Sequence, residues 1–274
     1  MGHPTWVVRF IRRIFPSRFF VAKATRVSFI GRFFDHWLFN GDNLMFLPDD
    51  RSVRRVEVNE PIEMPEEVVL PSQVVDHFIE QANYHWVMDF CLCRSATGCE
   101  DYPIELGCLF LGQTAMDINP ELGHPVTREE ALAHVRRCRE AGLVHFVGRN
   151  KLDTVWLGIG PGRKLMTVCH CCPCCCLWRV LPHVSERIEA KVTRMPGVTV
   201  SVTERCVGCG ACTEDVCFME AIRIEDGRAV ISDRCRGCGR CVTGCPHQAI
   251  DLTIEGSASV GRAIERIERF VDLE

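Results

Sequence analysis

No stretch of the chain offers the ~18 uncharged apolar residues that a membrane-spanning helix requires, so no transmembrane span is expected. Charge of one sign is also lacking. With 32 Lys and Arg against 36 Asp and Glu, the formal charge of −4 gives no reason to expect nucleic acid or another polyanion as a partner. A dinucleotide or Walker phosphate loop is missing too. Gly158-Ile-Gly-Pro-Gly162 has neither spacing and carries Pro161 inside it, and the following Arg163 to Val168 reads as a strand. A turn is expected there, and no nicotinamide or nucleotide. Tyrosine is scarce, at 2 in 274 residues, whereas cysteine is abundant, at 19. That number is odd, and adjacent Cys-Cys pairs cannot easily bridge one another, so a disulfide framework is a poor fit. Thiolate ligation of metal fits better. Thiolates persist in a reducing compartment, which makes a cytoplasmic protein the expectation.

Apolar residues make up 47% of the chain, enough for a buried core of one or two domains. Before Asp35 there is no acid, while Arg9, Arg12, Arg13, Arg18, Lys23, Arg26 and Arg32 alternate with phenylalanines and isoleucines. Residues 1–47 therefore read as a basic, aromatic arm. It either lies on an anionic membrane surface, docks on a partner subunit, or folds back over its own domain with its arginines in solvent. Arg12-Arg13 is not followed by the uncharged apolar region of an export signal. Residues 48–71, with Pro48, Pro61, Pro65 and Pro71, read as an extended linker with one strand at Val53–Val58.

A cysteine-rich domain is expected over residues 72–195. It opens with a helix carrying Val74, Val75, Phe78 and Ile79 on one stripe and Ser72 as cap. Thr127-x-x-Glu130 predicts a capping box, with Gly142 ending that helix and Cys138 packed on its apolar side. Leu143–Val147 and Thr154–Leu157 read as short strands. Trp37, Trp86, Trp156 and Trp178 are expected in the core. In the tail, residues 256–274, Val260, Ile264, Ile267 and Val271 make one narrow apolar stripe on a charged helix. It packs on its own domain or on another subunit.

Two segments repeat at a constant offset, Cys206-Val-Gly-Cys209-Gly-Ala-Cys212-x4-Cys217 and Cys235-Arg-Gly-Cys238-Gly-Arg-Cys241-x3-Cys245-Pro246. Each is followed by an equivalent turn and strand, Glu220-Ala-Ile and Gln248-Ala-Ile, so one metal-binding unit is duplicated. Gly208, Gly210, Gly237 and Gly239 let each loop turn tightly and aim backbone amides at sulfur. Zinc ribbons would need only two Cys-x-x-Cys pairs, not a third cysteine at the same step and a remote fourth. Residues 196–255 are expected as a domain of their own, and over about 198–254 the chain resembles the bacterial ferredoxins that carry two [4Fe–4S] clusters. The resemblance implies that Cys206, Cys209, Cys212 and Cys245 hold one cluster, and Cys235, Cys238, Cys241 and Cys217 the other. The first unit departs from the family run in the extra residue before Cys217 and in Phe218, where the second unit has Pro246.

Upstream lie Cys91, Cys93, Cys99 and Cys108, and the run Cys169-His170-Cys171-Cys172-Pro173-Cys174-Cys175-Cys176. If the run is extended, Cys172, Cys174 and Cys176 face one way and Cys169, Cys171 and Cys175 the other, unless Pro173 breaks the parity. Ten thiols suffice for two further [4Fe–4S] clusters. One cluster with a structural zinc, or a single unusual cluster with thiols to spare, would use the same residues. His170 is expected to donate a hydrogen bond beside a metal site and His145 to be packed after its strand, rather than to act as ligands. The order Gly142-Leu-Val-His145, Asn150, the cysteine run and the duplicated unit is similar to multi-cluster ferredoxin-like proteins of anaerobes.

The expected fold is α+β, a duplicated ferredoxin-like domain joined to a cysteine-rich α+β domain. The expected function is electron transfer through about four clusters in a subunit of a membrane-associated anaerobic oxidoreductase. Its partners would be redox proteins, and its place the inner face of the membrane. The competing expectation is a reductase whose upstream cluster keeps an iron site open to a substrate or disulfide.

Overall fold

The computed structural model describes residues 2–53, 70–256 and 258–273, and mixes helices with three sheets. Most of the proline-rich linker, including the expected strand beyond Val53, lies outside the described residues; Val53 itself bridges Leu252. Seven strands form the main sheet: β1 (Asn43–Phe46), β2 (His85–Met88), β3 (Leu109–Leu111), β4 (Gly123–Pro125), β5 (Val144–Arg149), β6 (Met166–Cys171) and β7 (Val192–Arg194). Their order is β4-β2-β3-β6-β5-β1-β7, and every pairing is antiparallel except β1 with β7. Residues 43–46 of the expected arm therefore belong to the sheet.

Strand alternation gives this sheet two different faces. Met45, Val87, Leu109, Val147, Met166 and Val168 point to one core. It is covered by α4 (Ser72–Gln81), α6 (Arg128–Glu140) and α10 (Ala258–Glu268), through Phe78, Val135, Ala263 and Ile267. The tail stripe thus packs on its own domain. The capping box of α6 is present: Glu130 N–H donates to Thr127 Oγ1 at 3.2 Å and Thr127 N–H to Glu130 Oε2 at 2.8 Å. Ser72, in contrast, does not cap α4. Its own N–H is taken by Asp50 Oδ1 at 3.0 Å, a carboxylate that the linker supplies.

The opposite face is covered by α1 (Thr5–Ile14), α2 (Arg18–Ala24) and the turns of Leu177–His183, while α3 (Ser28–Phe34) packs on the turn Asp35–Phe39. Helix α5 (Leu92–Thr97) lies against α1, and α7 (Lys151–Leu157) replaces the strand expected at Thr154–Leu157. Local bonds explain α7. Asp153 accepts from Asn150 Nδ2 at 2.6 Å and from Trp156 Nε1 at 2.7 Å, which winds the segment until Gly158 ends it at φ +69°. The strand expected from Arg163 begins only at Met166, after a turn at Gly162–Lys164.

The arm folds back through Val8, Phe15 and Ala22, with Arg26 donating to the Pro182 carbonyl at 2.7 Å and Ser185 N–H to Thr25 Oγ1 at 3.0 Å. Its other side stays open. Trp6, Phe10, Phe20, Phe29 and Phe33 are exposed, and so is Trp37, which the sequence placed in the core. Trp86 and Trp178 are buried as expected. Among the described residues no helix is long and apolar enough to cross a membrane.

The C-terminal unit joins the same body. Strand β8 (Val198–Val202) pairs antiparallel with β11 (Ile250–Ile254), and β9 (Ile222–Glu225) with β10 (Arg228–Ile231); α8 (Glu186–Glu189) precedes the unit and α9 (Arg240–Thr243) lies inside it. Phe218 is buried with its ring 4.6 Å from that of Phe46, so the residue that departs from the family run roots the unit in the main sheet.

Because Ile267 is fully buried against α4 and the sheet, Ile267→Ala should destabilise the fold by about 2–4 kcal/mol in denaturant unfolding. Unchanged stability would place the tail stripe at an interface instead.

Candidate metal centres

The eight C-terminal thiols fall into two neighbourhoods. Cys206, Cys209, Cys212 and Cys245 line one small cavity of about 10 Å³, together with Ala229, Ala249 and Ile250. Cys217, Cys235, Cys238 and Cys241 lie within electrostatic reach of one another, and burial raises the last three, Cys238 to about 12. Each set takes one cysteine from the other repeat. Backbone amides point at sulfur in both. Ala229 N–H donates to Cys206 Sγ at 3.3 Å and Gly237 N–H to Cys235 Sγ at 3.4 Å. Ala221 N–H reaches Cys217 Sγ at 3.4 Å and Ala249 N–H reaches Cys245 Sγ at 3.3 Å, the same bond in each repeat. Glu220 and Gln248, just before those alanines, share φ values of +50° and +49°.

Gly208, Gly210, Gly237 and Gly239 all have positive φ, between +65° and +81°. Gly239 is needed twice over, because a Cβ there would also stand 2.1 Å from Ser52 Oγ. A thiol donor set with amides aimed at sulfur is what an iron–sulfur cluster asks of a protein, and these residues fit it.

The upstream cysteines divide differently from the sequence expectation. Strand β6 places Cys169 and Cys171 on the face toward the arm, and the chain then turns at Pro173. The turn breaks the parity: Cys172, Cys174 and Cys175 join Cys99, while Cys176 returns to the side of Cys169 and Cys171. The four sulfurs of Cys99, Cys172, Cys174 and Cys175 lie within 4.8 Å of one another. The other six thiols form three close pairs. Cys108 and Cys169 are 3.6 Å apart, and hydrogen bonds join Cys91 to Cys93 and Cys171 to Cys176. These six, joined at one edge by Cys172, line a cavity of about 300 Å³, bordered on its far side by Ile11, Ile14, Phe15, Val21 and Ala22 of the arm.

Arg94 is a functional residue that sequence reasoning missed. It is completely buried between the two upstream groups, donating to the His170 carbonyl at 2.8 Å and to the Leu106 carbonyl. Its Nε has no partner, and its charge acts on Cys91, Cys108 and Cys172. The Cys91 thiol falls to about 6, first through its hydrogen bond with Cys93 and then, against the cost of burial, through Arg94. Arg240, likewise buried, donates from the Cys238–Cys241 loop to the carbonyl of Cys171 and so links the C-terminal unit to the upstream wall. In sequence, an arginine beside cysteines looks like any surface charge. Only the fold puts these two inside.

His170 points away from the thiols, on the far face of β6, directly opposite His145 in the β5 register. Arg139 Nε–H donates to His145 Nε2 at 3.1 Å, so the His145 proton sits on Nδ1, which donates to His170 Nδ1 at 2.9 Å. The His170 proton therefore sits on Nε2, which is buried without a partner. Nearby, His134 uses its Nε2–H on the Gly107 carbonyl at 2.9 Å, and burial raises the Cys138 thiol. His134, Cys138 and His170 come within 4.8 Å, but both imidazole nitrogens that face the group carry protons. The group is a hydrogen-bonded core, in which Cys138 and His145 are packed as the sequence suggested, whereas His170, expected to donate a hydrogen bond beside a metal site, is packed there with them.

The family model of the LdpA Fe-S cluster-binding domain matches residues 213–255, which hold Cys217, Cys235, Cys238, Cys241 and Cys245. No curated protein and no solved structure matches the chain. The match and the thiol groups together support an iron–sulfur protein.

Burial, then the positive charge of Arg139, lowers His145 from 6.5 to about 3. Unfolded His145 takes up a proton as pH falls below 6.5 whereas the folded residue stays neutral, so its part of the stability is full above 6.5 and declines toward pH 3. One proton corresponds to a slope of up to ~1.4 kcal/mol per pH unit. His145→Gln should lose less stability than the parent between pH 7 and pH 4.5 in urea titrations. Parallel pH profiles would contradict a neutral, buried His145.

Proposed function

We propose that this protein is an electron carrier in which iron–sulfur centres follow one another along one chain. Two [4Fe–4S] clusters belong to the C-terminal unit, one on Cys206, Cys209, Cys212 and Cys245, the other on Cys217, Cys235, Cys238 and Cys241. A further centre belongs to the six-thiol cavity. When bound, such clusters supply one-electron transfer. The observation that carries the reading is the crossed membership of the two C-terminal sets, with amides aimed at Sγ of Cys217 and Cys245 by the same bond in each repeat.

The chain's own contribution is placement and charge. The Arg240 bond to Cys171 holds the loop of one thiol set against the wall of the upstream cavity. Arg94 and Arg18 bring positive charge to thiolates that burial alone would neutralise. With no nucleotide loop in the sequence, electrons enter and leave through redox proteins. The arm supports a membrane-associated oxidoreductase subunit: Trp6, Phe10, Phe20, Phe29 and Phe33 and the basic Arg9, Arg12, Arg13, Lys23, Arg26 and Arg32 are all exposed, a composition suited to anionic lipid.

A second reading is favoured by one specific observation. The six-thiol cavity has about 300 Å³ of free space where the four-thiol C-terminal cage has about 10 Å³, and it has two thiols more than one cubane uses. A reductase whose cluster faces a small bound substrate would need such room. Adding a disulfide or a small anion to the reduced protein would shift its electron paramagnetic resonance spectrum on this reading. An unchanged spectrum leaves the carrier.

The carrier reading is tested on protein purified without oxygen. Cys245→Ser should lower iron and acid-labile sulfide by about four each per chain. Cys138→Ser should leave both unchanged. Equal iron in Cys245→Ser and the parent would refute the assignment. For the membrane role, removal of residues 2–34 should abolish flotation with phosphatidylserine vesicles, and retained flotation would exclude the arm as the anchor.

A further inference from the structure

The four-thiol group of Cys99, Cys172, Cys174 and Cys175 is built to a smaller scale than the other thiol sets. A single tetrahedral ion with metal–sulfur bonds of about 2.3 Å sets its sulfurs about 3.8 Å apart. A cubane puts four irons between its thiolates and spreads them to roughly 6 Å. Here the Cys99 and Cys174 sulfurs are 3.6 Å apart and all four sulfurs lie within 4.8 Å of one another. Among the described residues, no three thiols of either C-terminal set, nor of the six-thiol cavity, are drawn so close together. The contrast is internal to one structure.

We infer that these four cysteines hold one mononuclear metal ion of the zinc class rather than an iron–sulfur cubane. The local backbone agrees. Cys172, Cys174 and Cys175 sit on one tight turn around Pro173, and Cys175 N–H donates to Cys172 Sγ at 3.3 Å, which turns the loop around a point near that sulfur. Cys99 is brought in by the end of α5, where Gly98 takes φ +63° and Cys99 N–H returns to the Arg94 carbonyl at 3.0 Å. Four thiolates on a divalent ion carry a net charge of −2, and cationic groups stand ready for it. Arg94 hydrogen-bonds Cys172, Arg179 donates to the carbonyl of Cys174, and Arg18 faces Cys175.

The ion's role follows from where the turn begins and ends. The chain leaves the large cavity after Cys172, which lines both it and the four-thiol group, and re-enters at Cys176. Tying that turn to Cys99 fixes both flanking thiols and anchors the loop from α5 to Cys108. The ion is a redox-inert staple behind the wall of the cavity. It does not depend on the electron-carrier reading, because it needs no iron.

Zinc, iron and acid-labile sulfide are measured per chain on the full-length protein purified without oxygen, with X-ray absorption at the zinc edge. The expected result is one zinc per chain with four sulfurs at about 2.3 Å and no neighbouring metal. Cys174→Ser should lose that zinc with iron and sulfide unchanged. The absence of zinc from the parent would overturn the inference, as would loss of about four irons and four sulfides in Cys174→Ser. Because the absorption spectrum is read on the parent, a variant that fails to fold does not decide the matter. Zinc present in a protein with neither iron nor sulfide would uphold the staple while refuting the carrier.

Discussion

A strand sends successive side chains to opposite faces, and along Met166–Cys171 that alternation separates two kinds of chemistry with one backbone. Cys169 and Cys171 meet the arm-side cavity; Met166, Val168 and His170 meet the core under α4 and α6. Because β6 lies at the centre of the seven strands, with β3 and β5 on its flanks, neither face can slip without turning every thiol into the wrong layer. The histidines opposite each other across β5 and β6 lock that register by a hydrogen bond as well as by the ladder. The upstream thiol groups inherit their placement from this one strand.

Charge is the second organising fact. Buried thiols resist ionisation, and most of the enclosed ones here, Cys171 and Cys238 among them, are pushed up by their surroundings. Arg94 and Arg240 sit inside the protein against that tendency, each held by main-chain carbonyls rather than by carboxylates. A carboxylate partner would cancel the charge locally. Carbonyls orient the guanidinium and leave its charge available to the sulfurs.

Much of this was legible in the sequence. The capping box of α6, the Gly142 stop and the tail stripe follow from spacing alone, because such signals are local, whereas the division of the C-terminal thiols into two sets came from the resemblance to two-cluster ferredoxins. The strand misread at Thr154–Leu157 failed because Asp153 bonds both its neighbours and winds them into a helix. Trp37 was misplaced for a different reason, since an aromatic on a helix that faces outward looks the same in sequence as one that faces in. Parity along Cys169–Cys176 was readable up to Pro173 and no further. Beyond it, which thiols meet Cys99 depends on a turn whose direction only the packed fold decides, and Arg94 became part of the site by the same route.

Crossed membership of the C-terminal sets also bears on how the chain is made. The upstream groups are complete once Cys176 has been synthesised, but the set begun at Cys206 waits for Cys245, and the one that includes Cys217 waits for Cys241. Their sheet closes later still, when β11 arrives beside β8. During synthesis the C-terminal unit therefore stands as incomplete sets of thiols beside upstream groups whose cysteines are already all present, while the core of the main sheet still waits for α10. The unit's two sites come to completion almost together, and the order of maturation is written into the order of the chain.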